Sequence, residues 1–172
     1  MDANLLVTYD PNHSGKASEE AKAVLEEAGA KEKFLDSPVD GVFFLHVSEP
    51  KDVVRRLNEI CRAEPEKFGY TFRWIPIEKW CSSDVDELAG EMKAINSKIG
   101  DDEKWKMELS KRGYDAHSST ELIRKLTDSI EKRNVDLKNP EKIVKIEIIG
   151  DMAGISLLNR DELLDVHKLK AG

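Results

Sequence analysis

The residues that could do chemistry are few, and their spacing argues mostly against a catalytic site. Asn12-His13-Ser14-Gly15-Lys16 stands between a short apolar run and a helical pattern, the place where a phosphate loop sits. Such a loop needs an earlier glycine and a Ser or Thr after the lysine to hold magnesium. Here the first glycine is missing and Ala17 follows Lys16, so an ordinary strand-to-helix turn is expected. No GxSxG, HExxH or GxGxxG occurs. His117 precedes Ser118 and Ser119, but a helix start accounts for both serines. Cys61 falls on the inner face of a helical pattern, and Cys81 has no cationic or imidazole neighbour in sequence to activate it. There is no CxxC, and His13, His46, His117 and His167 are scattered without metal spacing. Asp84, Asp86 and Asp101-Asp102 sit where helix caps and turns are expected. No catalytic residue, metal ligand or cofactor is therefore expected, and the chain is expected not to be an enzyme.

Charge is more informative. The chain has 172 residues, with 27 Lys and Arg against 34 Asp and Glu, a net charge of −7. That sum argues against a protein that grips nucleic acid by bulk positive charge. The distribution is uneven, however. The stretch 103–145 carries an excess of basic residues, so the remainder is more acidic than the sum. Within it, Lys104, Lys106, Lys111 and Arg112 oppose only Glu103 and Glu108, and Arg124, Arg133 and Lys138 follow. Local positive charge can hold an RNA phosphate, because screening confines the far field to roughly 8–10 Å.

The elements that must position these residues alternate. Asn4–Tyr9 is a short β-prone run closed by Asp10-Pro11-Asn12. Ser18–Gly29 places Ala21, Val24, Leu25 and Ala28 at helical spacing. Lys31–Leu35 and Val42–Val47 are expected strands around the Pro38–Gly41 turn. A helix begins at Pro50 with Val53, Val54, Leu57, Ile60 and Cys61 inward, and Thr71–Ile77 is a closing strand. The order is β-α-β-β-α-β, a split βαβ. The second half begins with a polar segment near Glu78–Ser83, then a helix with Val85, Leu88, Met92, Ile95 and Ile99 inward. Lys104–Leu109 alternates, with Trp105, Met107 and Leu109 on one face and Lys104 and Lys106 on the other, which is expected to be exposed. Ser118 and Glu121 form a capping-box pattern for a helix carrying Leu122, Ile123, Leu126 and Ile130. Asn139-Pro140 is a turn, Ile143–Ile149 a strand, and Gly154–Leu158 a returning strand followed by a polar tail from Asn159.

An α+β chain of two small domains is thus expected, 1–77 and 78–172, the second with helices on a small mixed sheet. At 40% hydrophobic residues it can build a core. Neither Val42–Leu45 nor Ile146–Ile149 approaches a membrane span, no signal peptide is seen at Met1-Asp2-Ala3-Asn4, and the two cysteines suit a reducing, cytoplasmic compartment.

The stretch Val135-Asp136-Leu137-Lys138-Asn139-Pro140, leading into Glu141–Ile148, resembles the signature of THUMP domains. The strand Lys104–Leu109 with its following Lys111-Arg112 pair and the helix Ser119–Ile130 resemble the family's preceding elements. Arg73-Trp74-Ile75-Pro76-Ile77 and Gly150–Leu157 resemble one branch, the proteins that assist tRNA cytidine acetylation. The resemblance implies a ferredoxin-like βαββαβ domain followed by a THUMP domain. It also implies binding to the acceptor arm of tRNA, with the reaction carried by a separate acetyltransferase that makes N4-acetylcytidine. No room follows for a methylase or ATP-pyrophosphatase domain, so a non-catalytic RNA-binding adaptor is the expectation. The RNA contacts would be Lys104, Lys106, Lys111, Arg112, Arg124, Arg133, Lys138 and Asn139, of which Lys111, Arg112 and Asn139 carry over from the family pattern and the rest from charge. Two other readings stay open: a THUMP subunit for methylation or thiolation, and a ferredoxin-like regulatory module sensing a small ligand.

Overall fold

A computed structural model describes residues 1–172, which divide into two compact units: Met1–Ile77 joined by Asp161–Gly172, and Glu78–Arg160. In the first unit the strands are β1 (Leu5–Tyr9), β2 (Glu32–Leu35), β3 (Val42–Val47) and β4 (Thr71–Pro76), with helices α1 (Ser14–Glu27) and α2 (Pro50–Ala63). The sheet order is β2-β3-β1-β4-β9, where β9 is Leu164–Asp165, every neighbouring pair antiparallel. Leu5, Val7, Leu45, Val47 and Trp74 from the strands pack with Ala21, Val24, Leu25, Val53, Val54 and Leu57 from the helices in one core. The periods of 2 and 3.6 in the sequence thus meet on one sheet face.

α1 begins at Ser14 rather than Ser18, after a 3-10 turn over Pro11–His13 capped by Asp10, whose carboxylate accepts from the Asn12 amide. Ser14, Gly15 and Lys16 therefore lie inside the first helical turn, and no open loop remains to wrap a phosphate. A clamp ties α1 to the start of β4. The Glu20 carboxylate accepts from the amides of Gly69, Tyr70 and Thr71 and from the Thr71 hydroxyl, at 2.7 to 3.2 Å.

The segment after Arg160 is ordered and belongs to the first unit, a departure from a single cut that gave 78–172 to the second. Strand β9 (Leu164–Asp165) pairs with β4, and helix α5 (Val166–Ala171) follows. Asn58 on α2 donates to the carbonyls of Asp161 and Leu163, and Arg55 pairs with Glu162. Leu164 and Val166 enter the core. Leu163, Leu164, Val166 and Leu169 fall across a two-residue strand and a six-residue helix in a charged stretch, too short a run of either period to announce this.

The second unit holds β5 (Lys79–Ser82), α3 (Val85–Asn96), β6 (Trp105–Arg112), α4 (Ser119–Thr127), β7 (Lys142–Ile149) and β8 (Met152–Asn159). Its sheet order is β5-β8-β7-β6, with β6 and β7 parallel and the other pairs antiparallel. Strand β5, where the sequence predicts only a polar connection, is four residues at the sheet edge with only Trp80 and Cys81 to signal it. Both helices pack on one face, where Trp105, Met107, Val144, Ile146, Ile148, Ala153 and Ile155 meet Val85, Leu88, Met92, Leu122 and Leu126. Asp84 caps α3 by accepting from the Asp86 and Glu87 amides, and Ser118 caps α4 by accepting from the Glu121 amide at 3.2 Å. Glu121 does not complete a box; its carboxylate faces His117 Nδ1 at 3.4 Å.

Candidate nucleic-acid interface

The parallel pairing of β6 with β7 fixes where the basic residues can go. Trp105 stands opposite Lys142 and Arg112 opposite Ile149, so β6 runs the length of the sheet. At about 3.3 Å per residue, Trp105 and Arg112 are roughly 23 Å apart. The eight residues expected to touch RNA therefore do not form one patch.

At the start of β6 a turn is built around Asp136. Its amide donates to the Trp105 carbonyl, and the amides of Glu141 and Lys142 donate to the Lys104 carbonyl, which tacks the loop to the strand. The Asp136 carboxylate accepts from the Lys138 and Asn139 amides at 3.0 and 2.9 Å. Those two amides, chiefly that of Asn139, hold the Asp136 carboxyl below its ordinary value, with smaller contributions from the charges of Lys104 and Arg160. The buried Pro140 then ends the turn. The V-D-L-K-N-P sequence is thus a side-chain-capped turn, the chemistry for which Asp and Pro are suited.

This turn gathers Lys104, Lys138 and Asn139, all exposed, and adds Arg160, which the sequence reading missed. Arg160 follows β8, whose Asn159 stands opposite Lys142 in the hairpin register. The tight Gly150-Asp151 turn was the signal that could have found it, because it fixes which end of β8 returns to this end of β7. Lys104 reaches Asp136 only at 3.9 Å and keeps over half its side chain in solvent. Arg133 and Arg124 are exposed and make no ion pair, Arg133 in the loop and Arg124 on α4.

Three of the expected residues stand elsewhere. Lys106 is a correction: it points to the sheet face opposite the helices, but that side chain is 10% exposed and its ammonium pairs with Glu108 at 2.6 Å. Alternation assigned its face properly and its solvent exposure wrongly. Lys111 lies on the helix-facing side, where its ammonium donates to the carbonyls of Tyr114 and His117 at 3.5 and 3.2 Å and fastens the loop before α4. Arg112 is half-buried at the far end of β6. Lys145, part of the same basic stretch, is 1% exposed and pairs with Glu147 at 2.9 Å.

Beside the Asp136 turn lies a pocket of about 320 Å³ lined by Trp105, Met107, Ile123, Thr127, Ile130, Lys132, Val135 and Leu137. Val135 and Leu137 are 57% and 70% exposed, two of the three large apolar side chains left in solvent. No cluster of His, Cys, Asp and Glu able to hold a metal ion is present, and no helix is long and apolar enough to cross a membrane.

The comparisons with known proteins bear on both units. The chain is similar in fold to PH1313 from Pyrococcus horikoshii, with a TM-score of 0.61 at 16% identity over 91% of this chain and 55% of that one. It is similar to a possible methylase from Clostridium difficile 630, with a TM-score of 0.60 at 14% identity over 90% of this chain and 40% of that one. It is also similar to a 4-thiouridine synthetase solved with RNA and ATP, with a TM-score of 0.53 at 17% identity over 95% of this chain and 42% of that one. The chain thus spans about 40–55% of the length of these structures, and the likeness is one of fold. No curated protein sequence matches the chain. The expectation of a purely accessory, non-catalytic protein is overturned here: the structures that share its fold include a possible methylase and a 4-thiouridine synthetase, so this fold does not mark a non-catalytic protein. Residues 82–158 match the THUMP domain model, a span from the end of β5 through the body of β8. This is therefore an α+β chain in which a mixed β/α region precedes a THUMP domain over residues 82–158.

Proposed function

We propose that this chain binds tRNA by its acceptor arm within a tRNA-modifying system, its first unit being a ferredoxin-like module. The observation that carries the reading is the set of exposed cations at the Asp136 turn: Lys104 and Lys138 within the span that matches the THUMP domain model and Arg160 just beyond it, with the Asp136 carboxylate facing the Lys104 ammonium at 3.9 Å and accepting from the Lys138 amide. Phosphates would take these side chains and the Asn139 amide group, positioning the RNA without reading its sequence. Discrimination of RNA would then come from helix shape and 2′-hydroxyls. The antiparallel order β2-β3-β1-β4, with β3 set between β1 and β2, supports the ferredoxin-like label.

Methylation or thiolation is the modification we favour, because the names of the proteins similar in fold point that way. The narrower assignment to N4-acetylcytidine, made with a separate acetyltransferase, rests on the sequence resemblance of Arg73–Ile77 and Gly150–Leu157 alone. Titration of an unmodified tRNA transcript at increasing KCl tests the binding. Affinity is expected to fall linearly with salt on logarithmic axes, and Lys104→Ala or Lys138→Ala to reduce that slope by about 1 each. Lys106→Ala should leave the slope unchanged. Absence of binding at low salt, or a flat slope, refutes the reading. Profiling nucleosides after deletion of the gene separates thiolated, methylated and acetylated products.

A further inference from the structure

We infer that the outer edge of β6 is where a second copy of this chain docks, the two β6 strands running antiparallel about Ser110. Three observations carry this. The first is the edge itself. The Trp105 amide donates to the Asn134 carbonyl and the Trp105 carbonyl accepts from the Asp136 amide, so the odd-numbered residues of β6 turn their backbone groups away from β7. Beyond Trp105, the amides and carbonyls of Met107, Leu109 and Lys111 have no backbone partner. Such a row of donors and acceptors is complementary to another extended chain. The second observation is that this edge lacks the usual guards. β6 has eight residues, no proline and an unbroken register with β7. A guarding lysine needs a free ammonium, but that of Lys106 is held by Glu108 and that of Lys111 by the carbonyls of Tyr114 and His117.

The third is charge, and it selects the partner. The sheet face opposite the helices carries Lys106, Glu108, Ser110 and Arg112 along β6, and the half-buried Arg112 makes no ion pair within the chain. A two-fold axis at Ser110 sets Glu108 of each copy opposite Arg112 of the other, with serine against serine at the centre. Leu109 of each copy then stands opposite Lys111 of the other, each such pair exchanging both of its backbone bonds. The neighbouring registers are worse. An axis at Leu109 sets Lys106 against Arg112, and one at Glu108 sets that carboxylate against itself. An axis at Met107 lays the second copy over residues 134–136, which already occupy the edge at Trp105. An axis at Lys111 leaves Arg112 opposite Ser110 without a carboxylate. So short a contact makes a weak dimer, populated at high protein concentration. At about 3.3 Å per residue, Lys104 lies roughly 20 Å from Ser110, so the Asp136 turn of each copy stays clear of the axis, and the inference does not rest on the RNA reading.

The test measures the full chain by sedimentation and by amide hydrogen exchange from about 20 µM to about 1 mM. The mass is expected to rise towards that of a dimer, and the Leu109 and Lys111 amides to exchange more slowly with concentration, on the order of 10-fold. Arg112→Glu should weaken association on the order of 10-fold, because it sets carboxylates against each other across the axis. Glu108→Arg should do the same by setting guanidinium groups together. An equimolar mixture of these two variants should associate again, since every contact across the axis then joins opposite charges. Substitution at Glu108 releases the Lys106 ammonium, so the native spectrum of each variant is recorded first, and exchange in the unaltered chain reads the contact without any substitution. The inference is overturned if the chain keeps the mass of a single copy throughout, or if it associates without slowing these two amides. It is equally overturned if Arg112→Glu associates as the unaltered chain does, or if the mixture stays apart while both variants keep native spectra.

Discussion

Replacing Lys145 with Met should destabilise the second unit far more than any other loss of a lysine from its basic stretch. Lys145 is 1% exposed and Glu147 5%, with Nζ and Oε1 2.9 Å apart, and the ammonium also approaches the Ser110 hydroxyl at 3.4 Å. Removing the ammonium leaves a carboxylate buried without its cation. Breaking a buried pair in this way costs about 3–5 kcal/mol, against about 0–1 kcal/mol for an exposed pair. For a chain of this size each kcal/mol lowers the melting temperature by roughly 2–4 °C, so the variant should melt roughly 6–20 °C lower. The double variant Lys145→Met/Glu147→Leu removes both charges and fills the space with apolar groups, and should regain most or all of the loss. Native-state hydrogen exchange at the Ile146 and Ile148 amides of β7 isolates the effect to this unit, with thermal unfolding as the second measurement. A single-variant cost below about 1 kcal/mol, or a double variant no better than the single, would show that the pair behaves as a solvated one and that the burial argument is wrong. Lys145→Met should also leave the salt dependence of tRNA binding unchanged, because that ammonium cannot reach a phosphate.

Three further outcomes are expected. Ser118→Ala removes the acceptor for the Glu121 amide and should cost about 1 kcal/mol, read as faster hydrogen exchange in the first turn of α4. Asp136 titrates below its ordinary 3.8 because the Asn139 and Lys138 amides bond its charged form. Its contribution is therefore complete above 3.8 and lost as pH falls through the lower folded value, so the Lys138 and Asn139 amide shifts should titrate with a midpoint below 3.8. A midpoint at or above that value excludes the capped turn. Burial, then the charges of Glu91 and Glu87, push the Cys81 thiol up to about 11. Alkylation of Cys81 at pH 8 should accordingly run on the order of 100-fold slower than that of a free thiol; an ordinary rate would contradict it.

The most legible part of the sequence was its periodicity. Val144, Ile146 and Ile148 and the 3-4 spacing of Val85, Leu88 and Met92 placed a strand and a helix on the face where they are found. The Asp136 turn was legible too, because an Asp before an Asn-Pro pair has one common way to satisfy the amides that follow. What alternation could not supply was which side of a sheet meets water. Lys106 looked solvent-facing, yet it and the buried Lys145 are each matched by an acid two residues on, Glu108 and Glu147, a neutralising pattern that permits burial. Arg160 was hidden for another reason: it lies outside the basic stretch in sequence and joins it only through the β7-β8 register. The lone apolar residues of β5 and β9 borrow their order from the strands beside them, so no local pattern records them.

The return of residues 161–172 to the first unit makes the chain a nested one, with 78–160 inserted between β4 and β9. During synthesis, the outer edge of β4 then emerges well before its partner. At about 5–20 residues per second, the insert alone takes roughly 4–17 s to make, far longer than a small domain needs to collapse. For that interval the Leu164 and Val166 places in the core stay empty and an edge strand stands bare, the situation in which strands recruit wrong partners. Truncation after Arg160 should freeze that intermediate, and it makes the last twelve residues a lock that closes the first unit only after the THUMP domain has been made.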